Sequence, residues 1–209
     1  MIESTVGVIL RTRPLTETSL IAHWLTPDLG RLATVAKGAR RPRSPFAGKL
    51  DLFYEADLTF HRSRRSELHT LREVTLRALH PALRDNIAYL RQASYAVALI
   101  EQTTETETPL PGLFQLFTGF LAHLPLQPPQ HRTVCAFELK LLDALGLRPD
   151  PSRHALSPAT RQLANFLADS DWPDLASVTA TPAQVRELRQ FLRGFMANHL
   201  AQLPPTPPM

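Results

Sequence analysis

Over the first 80 residues, hydrophobic and polar positions alternate in short runs that end at turn-forming residues. The clearest alternation spans 52–61, where a polar face interleaves with an apolar one made of Tyr54, Ala56, Leu58 and Phe60. The pattern predicts five strands, over 5–13, 19–26, 31–37, 52–61 and 68–74. So many short strands in so short a span are typical of a small barrel, and their number and size match an OB-fold.

After residue 80 the hydrophobic period becomes that of helices. Helices are predicted over 81–104, with a break near Asp85, and over 113–124 and 132–145. The pairs Ser157-Pro158 and Thr181-Pro182 have the chemistry of an N-cap followed by a first helical residue, so they predict two further helix starts. In the last of these helices one apolar stripe runs through Val185, Leu188, Leu192, Phe195 and His199.

The two patterns together predict an α+β fold. Residues 1–80 form a five-stranded OB-fold barrel, and residues 81–203 form an all-helical domain. The tail 204–209, PPTPPM, is expected to be disordered because its composition cannot build a packed core.

Positive charge is concentrated in the first part of the chain. Residues 1–80 carry 13 Lys and Arg against 8 Asp and Glu, whereas the remainder carries 10 against 11. The segment 30–49 contains six cations and no acid: Arg31, Lys37, Arg40, Arg41, Arg43 and Lys49. Burying unpaired guanidinium groups is too costly for folding to offset, so this segment must face solvent or an anion. A phosphate backbone is the polyanion whose charge spacing suits it best.

A second cluster, Arg62, Arg64 and Arg65, falls in a predicted loop between strands and would extend the phosphate track. Such contacts position a nucleic acid without reading its sequence. Trp24, Tyr54 and Phe60 are candidates for stacking on bases, although aromatic side chains more often belong to the core.

Other features narrow the class of protein. The single cysteine, Cys135, excludes an internal disulfide and favours a small buried side chain on a helix. No signal peptide or membrane-length apolar run is present, which predicts a cytoplasmic protein. The sequence shows no phosphate-binding glycine loop, nucleophile elbow or paired histidines, so neither an enzyme, nor a metal site, nor a cofactor is expected.

Three motifs occur in order in the N-terminal part: Glu17-Thr18-Ser19, then Thr26-Pro27 with Gly30, then the run VAKGAR over 35–40. With them the chain resembles the RecO family of bacterial recombination mediators. Weaker similarity continues through Thr70-Leu71-Arg72-Glu73, Ser94-Tyr95 and Phe137-Glu138-Leu139.

The resemblance implies an N-terminal OB-fold, a helical C-terminal domain and a non-enzymatic role in DNA repair and recombination at the nucleoid. Proteins of this family bind single- and double-stranded DNA and anneal strands covered by single-strand-binding protein. They work with RecR to load the RecA recombinase, so RecA is an indirect partner.

This chain departs from the family pattern at two places, and each changes which features of the family are expected here. Many members insert a zinc-finger-like cysteine cluster, whereas this chain has only Arg153, His154 and a short connection before Ser157, so no zinc finger is expected. Members also tend to place Arg before the Phe-Glu pair to meet the acidic C-terminal tail of single-strand-binding protein. Here Cys135-Ala136 precede Phe137, and Arg132 or Lys140 would have to substitute.

An OB-fold does not by itself specify its ligand. The alternative is an OB-fold RNA-binding module, or a protein scaffold, in which the same basic segment meets ribosomal or transfer RNA.

Overall fold

The computed structural model describes residues 1–153 and 156–205. Its N-terminal part contains five strands: β1 (Ile2–Pro14), β2 (Leu20–Thr26), β3 (Gly30–Ala36), β4 (Glu55–His61) and β5 (Leu68–Ala78). They close into a barrel in the order β1-β2-β3-β5-β4. The five predicted strands are therefore confirmed, with bounds that differ by a few residues.

The long strand β1 makes closure possible because it pairs with two neighbours. Its first half is antiparallel to β4, from Ile2 opposite His61, and its second half is antiparallel to β2, from Val8 opposite Leu25. The register shifts between Ile9 and Arg11, and such a bulge bends the strand. The β3–β5 pair is parallel and spans only three residue pairs. This five-stranded closed barrel confirms the predicted OB-fold.

The barrel interior takes the apolar face that the alternation predicts. Ala56, Leu58 and Phe60 of β4 are fully buried, and Trp24 of β2 is buried with its indole N–H donating to Thr34 Oγ1 at 2.9 Å. Trp24 and Phe60 are therefore core residues and present no surface to a base. Tyr54 is half-buried.

A segment from the middle of the chain returns to the barrel. Residues 104–114 belong to the same compact unit as residues 1–81, whereas the second unit contains 82–103 and the residues from 115 onward. We call 104–114 the strap. The predicted boundary at residue 80 misses it because its Thr- and Glu-rich sequence reads as the polar end of a helix. Thr106 forms a parallel bridge with Arg31, and the Glu107 N–H donates to the Arg31 carbonyl at 2.7 Å.

The second unit is helical, as predicted. Its main helices are α1 (Ala82–Asp85), α2 (Ile87–Thr103), α3 (Leu113–His123), α4 (His131–Ala144), α5 (Pro158–Asp169) and α6 (Pro182–His199), of which α3 begins in the strap. Short 3₁₀ turns cover Leu124–Leu126, Pro151–Arg153 and Pro173–Ala176. Ser157 and Thr181 cap α5 and α6 as predicted, and Thr181 completes a capping box with Gln184.

Helix α4 lies at the centre of this unit, against α2, α5 and α6. Cys135 is buried in it, as expected. The buried stripe of α6 consists of Leu188, Leu192 and Met196, while the predicted stripe residue His199 is exposed.

The predicted disordered tail is only partly described. Pro204 is buried, so the first residue of that segment packs on the helical unit, and residues 206–209 lie outside the described part, as does His154. No helix among the described residues is both long and apolar enough to cross a bilayer.

Candidate nucleic-acid interface

The basic segment forms a loop of consecutive tight turns after β3. We use the name basic loop for residues 37–49. Gly38 has a positive φ of 71°, and the N–H groups of Arg41 and Ser44 donate to the carbonyls of Gly38 and Arg41, both at 3.1 Å. Phe46, only 7% exposed, is part of the barrel's hydrophobic cluster. The loop is therefore an ordered structure that presents its charges from a fixed backbone.

The turn between β1 and β2 supports the basic loop from the side. The Arg40 N–H donates to the Thr18 carbonyl at 3.0 Å, and its guanidinium donates to the Thr16 carbonyl at 3.2 Å. A groove of about 400 Å³ lies where the two segments meet, and it is lined by Leu15, Thr16, Thr18, Ser19, Val35, Lys37, Gly38 and Arg41. In OB-folds the loop between the first two strands is one of the elements that bind oligonucleotides.

The cations of the basic loop differ in exposure. Lys37, Arg40, Arg41 and Arg43 are exposed, while Lys49 is half-buried. Arg64 and Arg65 are also exposed, on the loop between β4 and β5, which is the other loop that OB-folds commonly use for binding. These side chains are placed where a polyanion can reach them.

Arg31 and Arg62, which are both predicted to bind DNA, have hydrogen-bond partners inside the barrel unit. Arg31 donates through Nε to Thr104 Oγ1 at 2.7 Å and through Nη2 to the Thr104 carbonyl at 2.5 Å. Arg62 bridges Glu3 at 2.8 Å and Glu107 at 2.7 Å, and the hydrogen bond that it donates to Glu3 is the main cause of its raised pKa. Both guanidinium groups help to hold the strap through these internal partners, and their contact with DNA stays a prediction.

The sequence did not reveal that Thr16, Thr18 and Ser19 line the groove of the basic loop. The available signal was their position between two predicted strands, in the loop that an OB-fold places at its binding face.

The three residues predicted to meet a partner's acidic tail lie in the helical unit, where their side chains contact other residues of that unit. Phe137 is fully buried, with its ring centroid 4.7 Å from that of Phe120. Lys140 donates to the carbonyls of Ala168 and Ser170, at 3.0 and 2.6 Å. Arg132 donates to the Val178 carbonyl and to Gln127 Oε1, and burial lowers the pKa of both cations. All three side chains therefore contribute to the packing of the helical unit, and their contact with a partner's tail stays a prediction.

A different groove of the helical unit is lined by three cations, of which Arg186 and Arg193 are exposed and Arg189 is half-buried. It has a volume of about 550 Å³, and its lining includes Arg186, Arg189 and Arg193 of α6 together with Val134, Met196 and Pro204. The spacing of three and four residues places the arginines on one helix face. The groove thus combines a cationic rim with an apolar floor.

A buried carboxyl group, Glu138, also lines this groove. Burial raises its pKa to about 7, against smaller opposing effects of the hydrogen bond from Tyr95 and the charge of Arg189. The Tyr95 hydroxyl donates to Glu138 Oε1 at 2.5 Å. The burial of Tyr95 and the neighbouring carboxyl raise the pKa of the tyrosine well above its usual value.

The titration of Glu138 makes the stability of the helical unit depend on pH. Between the ordinary carboxyl pKa of 4.5 and about 7, the folded state keeps a proton that the unfolded state has lost, so stability falls as pH rises. We expect Glu138→Gln to remove this dependence, a difference of about 3 kcal/mol over that range. Urea unfolding of both proteins across the range measures it. If the free energies of unfolding of the two proteins change in parallel with pH, the pH dependence does not come from Glu138.

Within the described parts of the chain, no three His, Cys, Asp or Glu side chains form a group that could hold a metal ion.

Family models match both parts of the chain. The model for the N terminal of recombination protein O matches residues 1–80, and the model for its C terminal matches residues 84–157 and 150–206. The DNA repair protein RecO of Alkaliphilus metalliredigens is 24% identical over 234 residues, which cover 96% of this chain and 94% of that protein.

Two further relatives match over a shorter segment. The DNA repair protein RecO of Haemophilus influenzae (strain 86-028NP) is 34% identical over 144 residues, and that of Rhodopirellula baltica is 30% identical over 148 residues. These alignments cover 69% and 71% of this chain, but only 59% and 55% of the relatives' own lengths. The chain therefore belongs to the recombination protein O family, the RecO family of DNA repair proteins.

Proposed function

We propose that the chain is a DNA-binding recombination mediator and not an enzyme. Its basic loop holds the backbones of single- and double-stranded DNA so that complementary strands can pair. The observation that carries the proposal is the ordered loop with four exposed cations, fixed to the β1–β2 turn. Phosphate contacts of this kind neutralise charge on any sequence, which suits annealing.

The partners that we propose follow from membership of the RecO family. The chain anneals strands that are covered by single-strand-binding protein, and with RecR it helps to load RecA. It acts in the cytoplasm, on the nucleoid. Annealing of strands coated with the cognate single-strand-binding protein is the direct test. Intact DNA binding without annealing would refute the mediator role and indicate a protein that only binds DNA.

Salt dependence tests the DNA contacts separately. If about five phosphates of a single strand are engaged, log K should fall against log salt with a slope of roughly −3 to −4, because each contact on a single strand contributes about −0.7. Fluorescence anisotropy with a labelled oligonucleotide gives the slope. A slope near zero would contradict backbone binding, and stronger binding of RNA in direct competition would favour the RNA-binding alternative.

The tail of single-strand-binding protein is assigned to the groove on α6 rather than to Arg132, Phe137 and Lys140. Charge complementarity supports this: an acidic, partly apolar peptide suits three arginines around an apolar floor. We expect the double variant Arg186→Glu, Arg193→Glu to bind the tail peptide roughly tenfold more weakly, as two rim ion pairs are lost and reversed. Isothermal titration measures this.

Arg72→Glu is the control for that experiment, because Arg72 is exposed on β5 in the other unit. If the native protein, the double variant and Arg72→Glu bind the tail peptide with equal affinity, the assignment of the tail to this groove is refuted.

A further inference from the structure

Residues 203–205, with the sequence Leu-Pro-Pro, lie in the groove on α6 that is described above, and we call them the LPP segment. A second cavity, of about 330 Å³, follows α2 and is lined by Ile87, Leu90, Arg91, Ser94, Tyr95, Ala98, Pro204 and Pro205. Tyr95, Pro204 and Pro205 line both cavities. The two cavities are therefore parts of one groove that extends from α6 to α2, and the LPP segment lies where they meet.

The α2 side of this groove is an apolar helix face. Ile87, Leu90, Ser94 and Ala98 follow one another at intervals of three and four residues, so they lie on the same side of α2. Ile87 is 59% exposed and Leu90 is half-buried, although both side chains are apolar. Pro204, in contrast, is buried. The LPP segment thus covers part of an apolar surface that continues beyond it.

The composition of the LPP segment suits binding in an extended form. Leu200, which caps α6, has extended φ and ψ angles of −111° and 138°, and residues 200–205 form neither helix nor strand. Proline has a fixed φ, so a segment with two prolines loses little conformational entropy when it is held in place. Proline-rich peptides use this property to bind grooves that contain aromatic side chains, and this groove contains Tyr95.

The LPP segment uses the apolar part of the groove and not its charges. Residues 203–209 contain no acidic side chain that could pair with the exposed Arg186 and Arg193. Val134 and Met196, the apolar floor beside the LPP segment, are only 4% and 3% exposed. An acidic peptide can therefore reach the arginines directly, whereas its apolar residues have to compete with the LPP segment for the floor.

We propose that the LPP segment is a built-in competitor, which occupies the groove until an acidic partner peptide displaces it. The proposal rests on the peptide groove proposed above and adds its regulation. The segment competes effectively because its attachment to α6 gives it a local concentration in roughly the millimolar range. The partner displaces it because acidic residues gain the arginines, which the LPP segment does not use. The groove thereby selects peptides that are both acidic and apolar.

Substitutions in the LPP segment of the full chain test the competition. We expect the double variant Leu203→Ser, Pro204→Ser to bind the tail peptide of single-strand-binding protein about tenfold more tightly than the native protein, because the fraction of molecules with an open groove scales the apparent affinity. Leu203→Ser alone, at a half-buried position, should bind about threefold more tightly. Gln202→Ser is the matched control, since Gln202 is exposed and lines neither cavity, and it should bind as the native protein does. Isothermal titration measures all four affinities.

A free peptide with the sequence of residues 201–209, AQLPPTPPM, supplies the LPP segment in trans. At roughly millimolar concentration it should return the double variant to about the native affinity for the tail peptide. The same peptide with serine at the positions of Leu203 and Pro204 should have no effect. This comparison separates occupation of the groove from any indirect effect of the two substitutions.

Equal affinity of the native protein and both LPP variants, with native thermal transitions, would overturn the competition and leave the peptide groove in place. Weaker binding by the variants would also overturn it, since the segment would then be part of the surface that binds the peptide. If the double variant unfolds, Leu203→Ser decides between these outcomes. If neither the native protein nor the variants bind the tail peptide, the assignment of the tail to this groove is wrong, and the competition is refuted with it.

Discussion

Replacing Lys37, Arg41 and Arg43 together by glutamate is expected to weaken binding of single-stranded DNA roughly 100-fold at about 0.15 M salt. At that salt concentration each lost phosphate contact costs about fourfold through counterion release, and the introduced carboxylates add repulsion. The salt slope should become shallower by about 2 because three contacts disappear. Anisotropy titrations at several salt concentrations measure both quantities, and annealing should be lost with them.

These three positions are chosen because their side chains, unlike that of Arg40, do not hold the basic loop in place. Their side chains are exposed, whereas the guanidinium of Arg40 also donates to the Thr16 carbonyl and so helps to hold the β1–β2 turn. Exposed substitutions of this kind change stability by no more than about 0.5 kcal/mol each, so the thermal transition should stay near that of the native protein. Unfolding of the triple variant would show that the loop is needed for the fold.

Two single variants of equal net charge show whether the position of the lost cation matters. Arg41→Glu and Arg72→Glu remove the same charge from exposed positions of one unit, but only Arg41 lines the groove beside the β1–β2 turn. Arg41→Glu should therefore weaken binding several-fold more than Arg72→Glu. Equal losses would mean that the general field of the barrel, and not the loop, attracts DNA.

The strands and helices could be predicted because their signals are local. Alternation over 52–61 marks the buried face of β4, and a side-chain oxygen before a proline marks the starts of α5 and α6. The position of Phe46 in the barrel cluster could not be predicted in the same way, since it lies in a loop with no period. Its burial depends on turns that return the chain to the barrel.

The roles of the arginines depend on contacts that are distant in sequence. Arg31 and Arg41 belong to one basic segment and look alike there, yet Arg31 binds Thr104, 73 residues further along the chain. Arg62 similarly resembles Arg64 and Arg65 until Glu3 and Glu107 are placed beside it. Charge clustering therefore predicts that a surface is basic, but not which of its cations are already engaged in folding.

The contact between the strap and the barrel depends on one glycine, Gly30. Gly30, the first residue of β3, has a positive φ of 66°, and a Cβ atom there would lie 2.6 Å from the Thr108 carbonyl carbon and 2.9 Å from the Pro109 nitrogen. Both neighbours are backbone atoms and cannot rotate away. A side chain at this position is expected to push the strap off the barrel, with loss of the hydrogen bond from the Glu107 N–H to the Arg31 carbonyl.

Gly30→Ala should lower the free energy of unfolding of the barrel by about 3 kcal/mol, the sum of a left-handed backbone cost of about 1–2 kcal/mol and a steric cost of similar size. Gly48→Ala isolates the backbone part, because Gly48 has a similar φ of 71° and a Cβ atom there would have no neighbour within 4 Å among the described residues. That variant should lose only about 1 kcal/mol. Urea unfolding gives both values, and hydrogen exchange at the Glu107 amide should accelerate in Gly30→Ala alone. Equal costs and equal exchange in the two variants would mean that the strap is not held by its contact with Gly30, and that the ion pairs of Arg62 and the bonds of Arg31 suffice to keep it on the barrel.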